Sequence, residues 1–90
     1  MARPAATVVL RRGALVLLLE RSMTMSFAPG MNVFPGGGVS KDDLASADPL
    51  LACAIRETKE EVDIAVPVCH LFDRWVTPEV EDQRFDVSFF

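Results

Sequence analysis

The segment from Asp48 to Pro67 constrains the fold most, because it has room for one helix and marks both of its ends. Asp48-Pro49 reads as an N-cap followed by proline at the first helical position, where the missing amide costs nothing and φ is already helical. The helix is expected to run from Pro49 to about Val62, with Asp63 near its end and Pro67 stopping anything longer. At about 100° per residue, Leu51, Ile55, Thr58 and Val62 fall within roughly 60° and form the expected core stripe. Glu57, Glu60 and Glu61 fall within about 100° of each other, centred opposite that stripe. Like charges at these spacings repel by about 0.2–0.5 kcal/mol per pair. They also sit near the C-terminal end, where the helix dipole disfavours negative charge. Two readings stay open: a solvated acidic face, or a site for a hard divalent cation that turns the repulsion into binding. Mg²⁺ selects carboxylate oxygens, and Arg56 could hold one carboxylate through a bidentate contact.

Around this helix the chain reads as β-structure. Ala6 to Leu10 and Ala14 to Glu20 are β-rich runs joined by Arg11-Arg12-Gly13, a short-hairpin signal. Asn32 to Phe34 is a short strand candidate ending at Pro35-Gly36-Gly37-Gly38, the strongest loop signal present. Glycines there let the backbone approach a ligand closely, and their exposed amides could bind phosphate oxygens. Val39 to Ala47 reads as a polar surface excursion, and Asp42-Asp43 lacks the spacing of a calcium loop. Val68 to Val76 and Arg84 to Phe90 read as strands, separated by an acidic stretch with Glu79, Glu81 and Asp82 that is expected to be solvated.

Ninety residues, half of them apolar, make a single small domain, residues 1–90. Nine Lys and Arg against thirteen Asp and Glu leave a net charge of −4, which argues against a nucleic-acid groove or a polybasic membrane surface. Cys53 and Cys69 are too few for a disulfide framework and suit a reducing compartment. The longest apolar run, Ala14 to Leu19, is too short to span a bilayer, and Arg11, Arg12 and Glu20 break any signal-peptide core. A cytoplasmic location is therefore expected. The chain stops at Ser88-Phe89-Phe90, inside a strand-like run. The expectation is a domain incomplete at its C-terminus, with a sticky apolar end open to pairing with a second copy as a homodimer.

Arg56-Glu57-Thr58-Lys59-Glu60-Glu61-Val62-Asp63-Ile64 resembles the core of the Nudix box, Arg-Glu-U-x-Glu-Glu-x-Gly-U with U aliphatic. Phe34-Pro35-Gly36-Gly37 is similar to the glycine pair that opens that box. Thr58 replaces the aliphatic residue and Asp63 the glycine; Asp tolerates the left-handed helix end less well than glycine. The upstream Gly-Glu pair is absent and the Gly37–Arg56 spacing is long, which an insertion around Ser40 to Ala47 would explain. Arg74 to Glu79 and Arg84-Phe85-Asp86 resemble segments of the coenzyme A diphosphatase branch.

The resemblance implies the N-terminal portion of a Nudix-type α/β/α sandwich with a mixed sheet. It implies Mg²⁺- or Mn²⁺-dependent hydrolysis of a nucleoside diphosphate linked to a moiety X. Coenzyme A or acyl-CoA is the expected substrate, and ADP-ribose or NADH the alternative. By the match, Glu57, Glu60, Glu61 and the Gly37 carbonyl hold metal, Glu57 helps activate water, and Arg56 orients the carboxylates. Gly36, Gly38 and Arg84 are expected at the substrate. The general base varies among family members and often comes from a later loop, so the alternative is a non-catalytic domain that binds metal or nucleotide, or acts only by association. His70, the only histidine, has no nucleophile placed beside it. Trp75 is read as core or rim, and Cys53 as an unsuitable ligand for an oxygen-selecting metal.

Overall fold

A computed structural model describes residues 2–20, 30–66, 69–76 and 85–90. Strand β1 (Arg3–Thr7) is the hub of a four-stranded mixed sheet. On one side it pairs antiparallel with β6 (Gly36–Gly38), matching Ala5 to Gly38 and Thr7 to Gly36. On the other it pairs parallel with β8 (Phe85–Phe89), which in turn pairs antiparallel with β7 (Asp73–Val76). The strand order is therefore β6-β1-β8-β7. Two small ribbons flank it: β2 (Arg11–Arg12) with β3 (Leu15–Val16), and β4 (Leu19–Glu20) with β5 (Asn32–Val33). The expected hairpin is present, but Arg11 and Arg12 lie in its first strand, and the chain turns through Gly13 at φ 59°.

The longer helix, α2 (Pro49–Val62), begins and ends where the local chemistry says it should. Asp48 accepts a hydrogen bond from the Leu51 amide at 3.2 Å, Pro49 opens the first turn, and Asp63 closes it in the left-handed conformation at φ 57°. Lys59 donates to the Asp63 carboxylate, placing a cation at the negative end of the helix.

Its buried side differs from the expected stripe. Cys53, Ala54 and Thr58 are buried, whereas Leu51, Ile55 and Val62 are half-buried. The packing face is rotated by roughly a quarter turn. Cys53 and Ala54 join Ala6, Val8 and Phe90 in the core, so small side chains on both surfaces let helix and sheet approach closely. Thr58 meets its polar need by donating to the Ala54 carbonyl at 2.8 Å.

Three further expectations change. Gly36–Gly38 is a sheet strand, not a loop, because β1 supplies its hydrogen-bonding partners. The stretch after Val39 contains a short helix, α1 (Lys41–Leu44), with Asp43 buried and Asp42 exposed, so it is no uniformly polar excursion. The apolar end is not an open edge. β8 lies between β1 and β7, and Phe90 is buried, its amide donating to Thr7 and its carbonyl accepting from Val9, both at 2.8 Å. Of the strand expected over Val68 to Val76, Asp73–Val76 forms and residues 69–72 do not; Val68 lies outside the described residues. Among the described residues, no helix is long and apolar enough to cross a membrane.

Candidate functional site

Between α1, α2 and β6, one guanidinium gathers an acidic cluster. Arg56 sits two turns into α2 and points toward β6. Its Nε and Nη2 donate to the two oxygens of Asp43 at 3.0 and 2.8 Å, a bidentate pair. Its Nη1 donates to Glu57 at 2.8 Å and to Glu60 at 3.0 Å, and Nη2 also reaches the Gly38 carbonyl at 3.1 Å. Arg56 thus fixes two carboxylates of its own helix relative to the glycine strand.

Asp43 is itself held in place. Ser40 and Asp43 form a capping box on α1: the Ser40 hydroxyl accepts from the Asp43 amide at 3.2 Å, and the Asp43 carboxylate accepts from the Ser40 amide at 2.9 Å. The Arg56 hydrogen bonds hold the Asp43 carboxyl well below the usual carboxylate range and raise the guanidinium above its own, so the pair stays ionised across ordinary pH. The sequence reading missed Asp43. The signal that could have found it is Ser40-x-x-Asp43, a capping-box spacing, with Asp43 six residues after Gly37.

The glycines act through the space they leave. A Cβ on Gly37 would stand 2.5 Å from the Glu57 carboxyl carbon, so Glu57 occupies the room that a side chain would take. The Gly36 amide donates to Glu61 at 3.2 Å. Because α2 is rotated, Glu57 and Glu61 lean over β6 instead of projecting opposite the core. Cys53 serves here as a donor: its thiol reaches the Gly37 carbonyl at 3.3 Å. Burial pushes that thiol up to about 11, so at neutral pH it keeps the proton it donates.

Glu57, Glu60, Glu61, Arg56, Gly36, Gly37 and Gly38 are therefore brought together. Arg84, Glu79, Glu81 and Asp82 lie outside the described residues. His70 is exposed. Trp75 is 66% exposed, neither core nor buried pocket wall, and stands edge-on to Phe89 with its indole N–H donating to Asp73 at 2.9 Å. Among the described residues, no three His, Cys, Asp or Glu side chains converge tightly enough to cage a metal; Glu57 and Glu60 each spend an oxygen on Arg56.

On the other face of β6 and β1 lies a cavity of about 490 Å³, walled by Phe34, Phe85 and Val87 and floored by Ala5 and Thr7, with Asn32 also in its lining. Gly36–Gly38 line it as well, so the glycine strand separates an acidic cluster from an apolar pocket.

The chain is similar to known proteins along its whole length. The family model described as the NUDIX domain matches residues 1–89. A Caenorhabditis elegans protein named "Putative nudix hydrolase 7" is 41% identical over 61 residues, 66% of this chain and 21% of that protein. Among solved structures, a NUDIX hydrolase from Alicyclobacillus acidocaldarius superposes with a TM-score of 0.83 at 26% identity, over 99% of this chain and 68% of that one. A MutT NUDIX hydrolase from Burkholderia pseudomallei gives 0.82 at 20% identity, over 99% and 64%. The Ap4A hydrolase of Caenorhabditis elegans gives 0.68 at 24% identity, over 99% and 65%. The chain thus spans 21% of the curated relative and between 64% and 68% of these solved chains. A family model covering nearly every residue, and an Arg56 cluster built where the box residues fall, lead to one conclusion: the chain belongs to the Nudix family.

Proposed function

We propose that this domain serves metal-dependent hydrolysis of a diphosphate joining a nucleoside to a moiety X. The observation that carries the reading is the Arg56 cluster, in which Asp43, Glu57 and Glu60 share one guanidinium beside a strand of three glycines. One cation among three carboxylates leaves negative charge over. The donor set of Glu57, Glu60, Glu61 and the Gly37 carbonyl is all oxygen, which suits Mg²⁺ or Mn²⁺. The Gly37 cradle, which a Cβ would fill, keeps the Glu57 carboxylate against the strand. When bound, such a cation neutralises diphosphate oxygens and acidifies water.

The chain's own groups do the rest. Arg56 orients Glu57 and Glu60, and in this reading Glu57 would ligate the cation or take a proton from the attacking water. Water adds to phosphorus as the bridging P–O bond breaks, leaving two phosphomonoesters. The Gly36 amide already donates to Glu61, so the Gly38 amide is the one proposed to meet a phosphate oxygen. The apolar pocket behind β6 takes the nucleoside or moiety X. Coenzyme A is the proposed substrate and ADP-ribose or NADH the competitor; the support is the resemblance of Arg74 to Glu79 and Arg84 to Asp86 to the coenzyme A branch, with Phe85 on the pocket wall.

A second reading is metal or nucleotide binding without turnover, because the general base varies among Nudix members and often comes from a later loop. One experiment separates the two. Coenzyme A, ADP-ribose, NADH and a nucleoside triphosphate compete with Mg²⁺ or Mn²⁺ present, and products are followed by mass, beside a Mn²⁺ relaxation titration. Monophosphate release that disappears in Glu60→Gln/Glu61→Gln is the expected result. Metal binding with no product supports the second reading, and equal Mn²⁺ binding in the double variant removes the site assignment from both. A kcat/KM for ADP-ribose or NADH tenfold above that for coenzyme A, about 1.4 kcal/mol, overturns the coenzyme A choice alone.

A further inference from the structure

We infer that Arg3 selects substrates bearing a second anionic group, a phosphate on the ribose of the nucleotide, at the rim of the pocket behind β6. The inference rests on the reading of that pocket as the nucleoside site. Side chains of Arg3, Ala5 and Thr7 share one face of β1, since alternate strand residues point the same way. Ala5 and Thr7 form the pocket floor, so Arg3 continues the same face outward. Across the parallel pairing, Arg3 stands beside Phe85 and Ala5 beside Val87, and both of these partners are pocket walls. The Arg3 guanidinium carbon lies 5.8 Å above the Phe85 ring centroid.

Among the described residues, no hydrogen bond or ion pair of the Arg3 guanidinium accompanies that cation–π contact. An aromatic face engages the cation through its π surface, while the five N–H donors lie in the guanidinium plane and stay available. Arg56, Lys59 and Arg74 each rest on carboxylates. Among the described residues Arg3 forms no ion pair, and none of the residues lining the pocket carries a charge. An apolar pocket with one ring-braced arginine at its edge suits a planar base inside and a phosphate outside. Arginine rather than lysine fits this task, because a planar fork can stack and still bind phosphate bidentately. Arg3 lies two residues, about 7 Å, along β1 from the Ala5–Gly38 rung. A phosphate at Arg3 is thus separate from a diphosphate at the carboxylates.

The test is a calorimetric titration of the 90-residue chain, without metal, with adenosine 3′,5′-bisphosphate and with AMP. Neither probe holds a cleavable diphosphate, so binding is read apart from turnover. The wild-type chain is expected to bind the bisphosphate at least tenfold more tightly, about 1.4 kcal/mol. Arg3→Gln abolishes that preference while leaving AMP affinity unchanged, and Arg3→Lys keeps part of it. Equal wild-type affinities, or a preference that survives Arg3→Gln, overturn the role of Arg3 and leave the pocket reading standing. Binding of neither nucleotide overturns the pocket reading and the role of Arg3 with it.

Discussion

Two arginines grip two aspartates in the same way, and only one of them organises anything. Arg56 holds Asp43 through Nε and Nη2, and Arg74 holds Asp86 through the same pair of nitrogens. In both pairs the contact lowers the carboxyl and raises the guanidinium. The difference is burial. The Asp43 side chain is 4% exposed and Arg56 27%, against 28% for Asp86 and 64% for Arg74. Water competes little for the first pair and freely for the second. Arg56 also has its remaining N–H groups on Glu57, Glu60 and Gly38, so an ordered guanidinium becomes an ordered carboxylate cluster.

The strongest way to break the comparison is to remove the buried carboxylate. Asp43→Asn leaves Arg56 without its best-sheltered counter-charge and is expected to cost about 2–4 kcal/mol, the lower end reflecting the wetter Arg56 side. Urea denaturation of variant and wild type reads this directly as a lower midpoint at unchanged m. The pH dependence sharpens it. The Asp43 carboxyl titrates lower in the folded than in the unfolded chain. Its contribution is therefore fully present above the ordinary carboxylate pKa of about 3.9 and is lost as pH falls below it toward the folded value. The wild-type advantage over Asp43→Asn should be flat from about pH 5 to 8 and should shrink below pH 4. An advantage that persists undiminished at pH 2.5 would refute the assignment.

What was legible in the sequence divides along the same line of local against non-local causes. The bounds of α2 could be read because Asp48, Pro49 and Asp63 act within one turn of themselves. The box resemblance placed Arg56, Glu57, Glu60 and Glu61 correctly on one helix. The glycine run could not be read as a strand, because three glycines carry no strand propensity and β6 exists through its pairing with β1. The helix stripe was misread for a related reason. Hydrophobicity favoured Leu51, Ile55 and Val62, whereas close packing on Ala6 and a side-chain-free strand selected the small residues Cys53 and Ala54. The Ser40-x-x-Asp43 capping-box spacing could have marked Asp43 locally, but nothing local marks it as the partner of Arg56, thirteen residues on. The buried Phe90 followed from parallel pairing with β1, which no local signal announces.

Neighbouring glycines of β6 give a smaller effect that separates fold from site. A Cβ on Gly36 would meet the Ala6 carbonyl oxygen at 2.4 Å, a backbone atom that cannot step aside. Gly36→Ala should therefore destabilise by about 1–3 kcal/mol through overpacking. On Gly37 the collision is with the end of the Glu57 side chain, which can swing away. Gly37→Ala should leave the urea midpoint nearly in place while weakening Mn²⁺ binding at least tenfold. Stability falling equally in both variants would mean that Glu57 is locked by packing and not simply accommodated by the missing Cβ.

The smallest effect belongs to the exposed pair. Arg74 and Asp86 bridge β7 and β8 diagonally, at residues offset by two rungs of the ladder, where Arg74 faces Ser88 and Val76 faces Asp86. The rung hydrogen bonds are made by the backbone, and the edge contact of Trp75 on Phe89 does not involve the ion pair. Removing the guanidinium therefore leaves the strand pairing intact, and the freed Asp86 carboxylate can take up water in its place. Arg74→Gln is expected to leave the urea midpoint within experimental error, in low salt and in 0.5 M salt alike. A clear loss that salt reproduces in the wild type would show the exposed pair to be structural after all. It would also remove burial as the property that distinguishes Arg56 from Arg74.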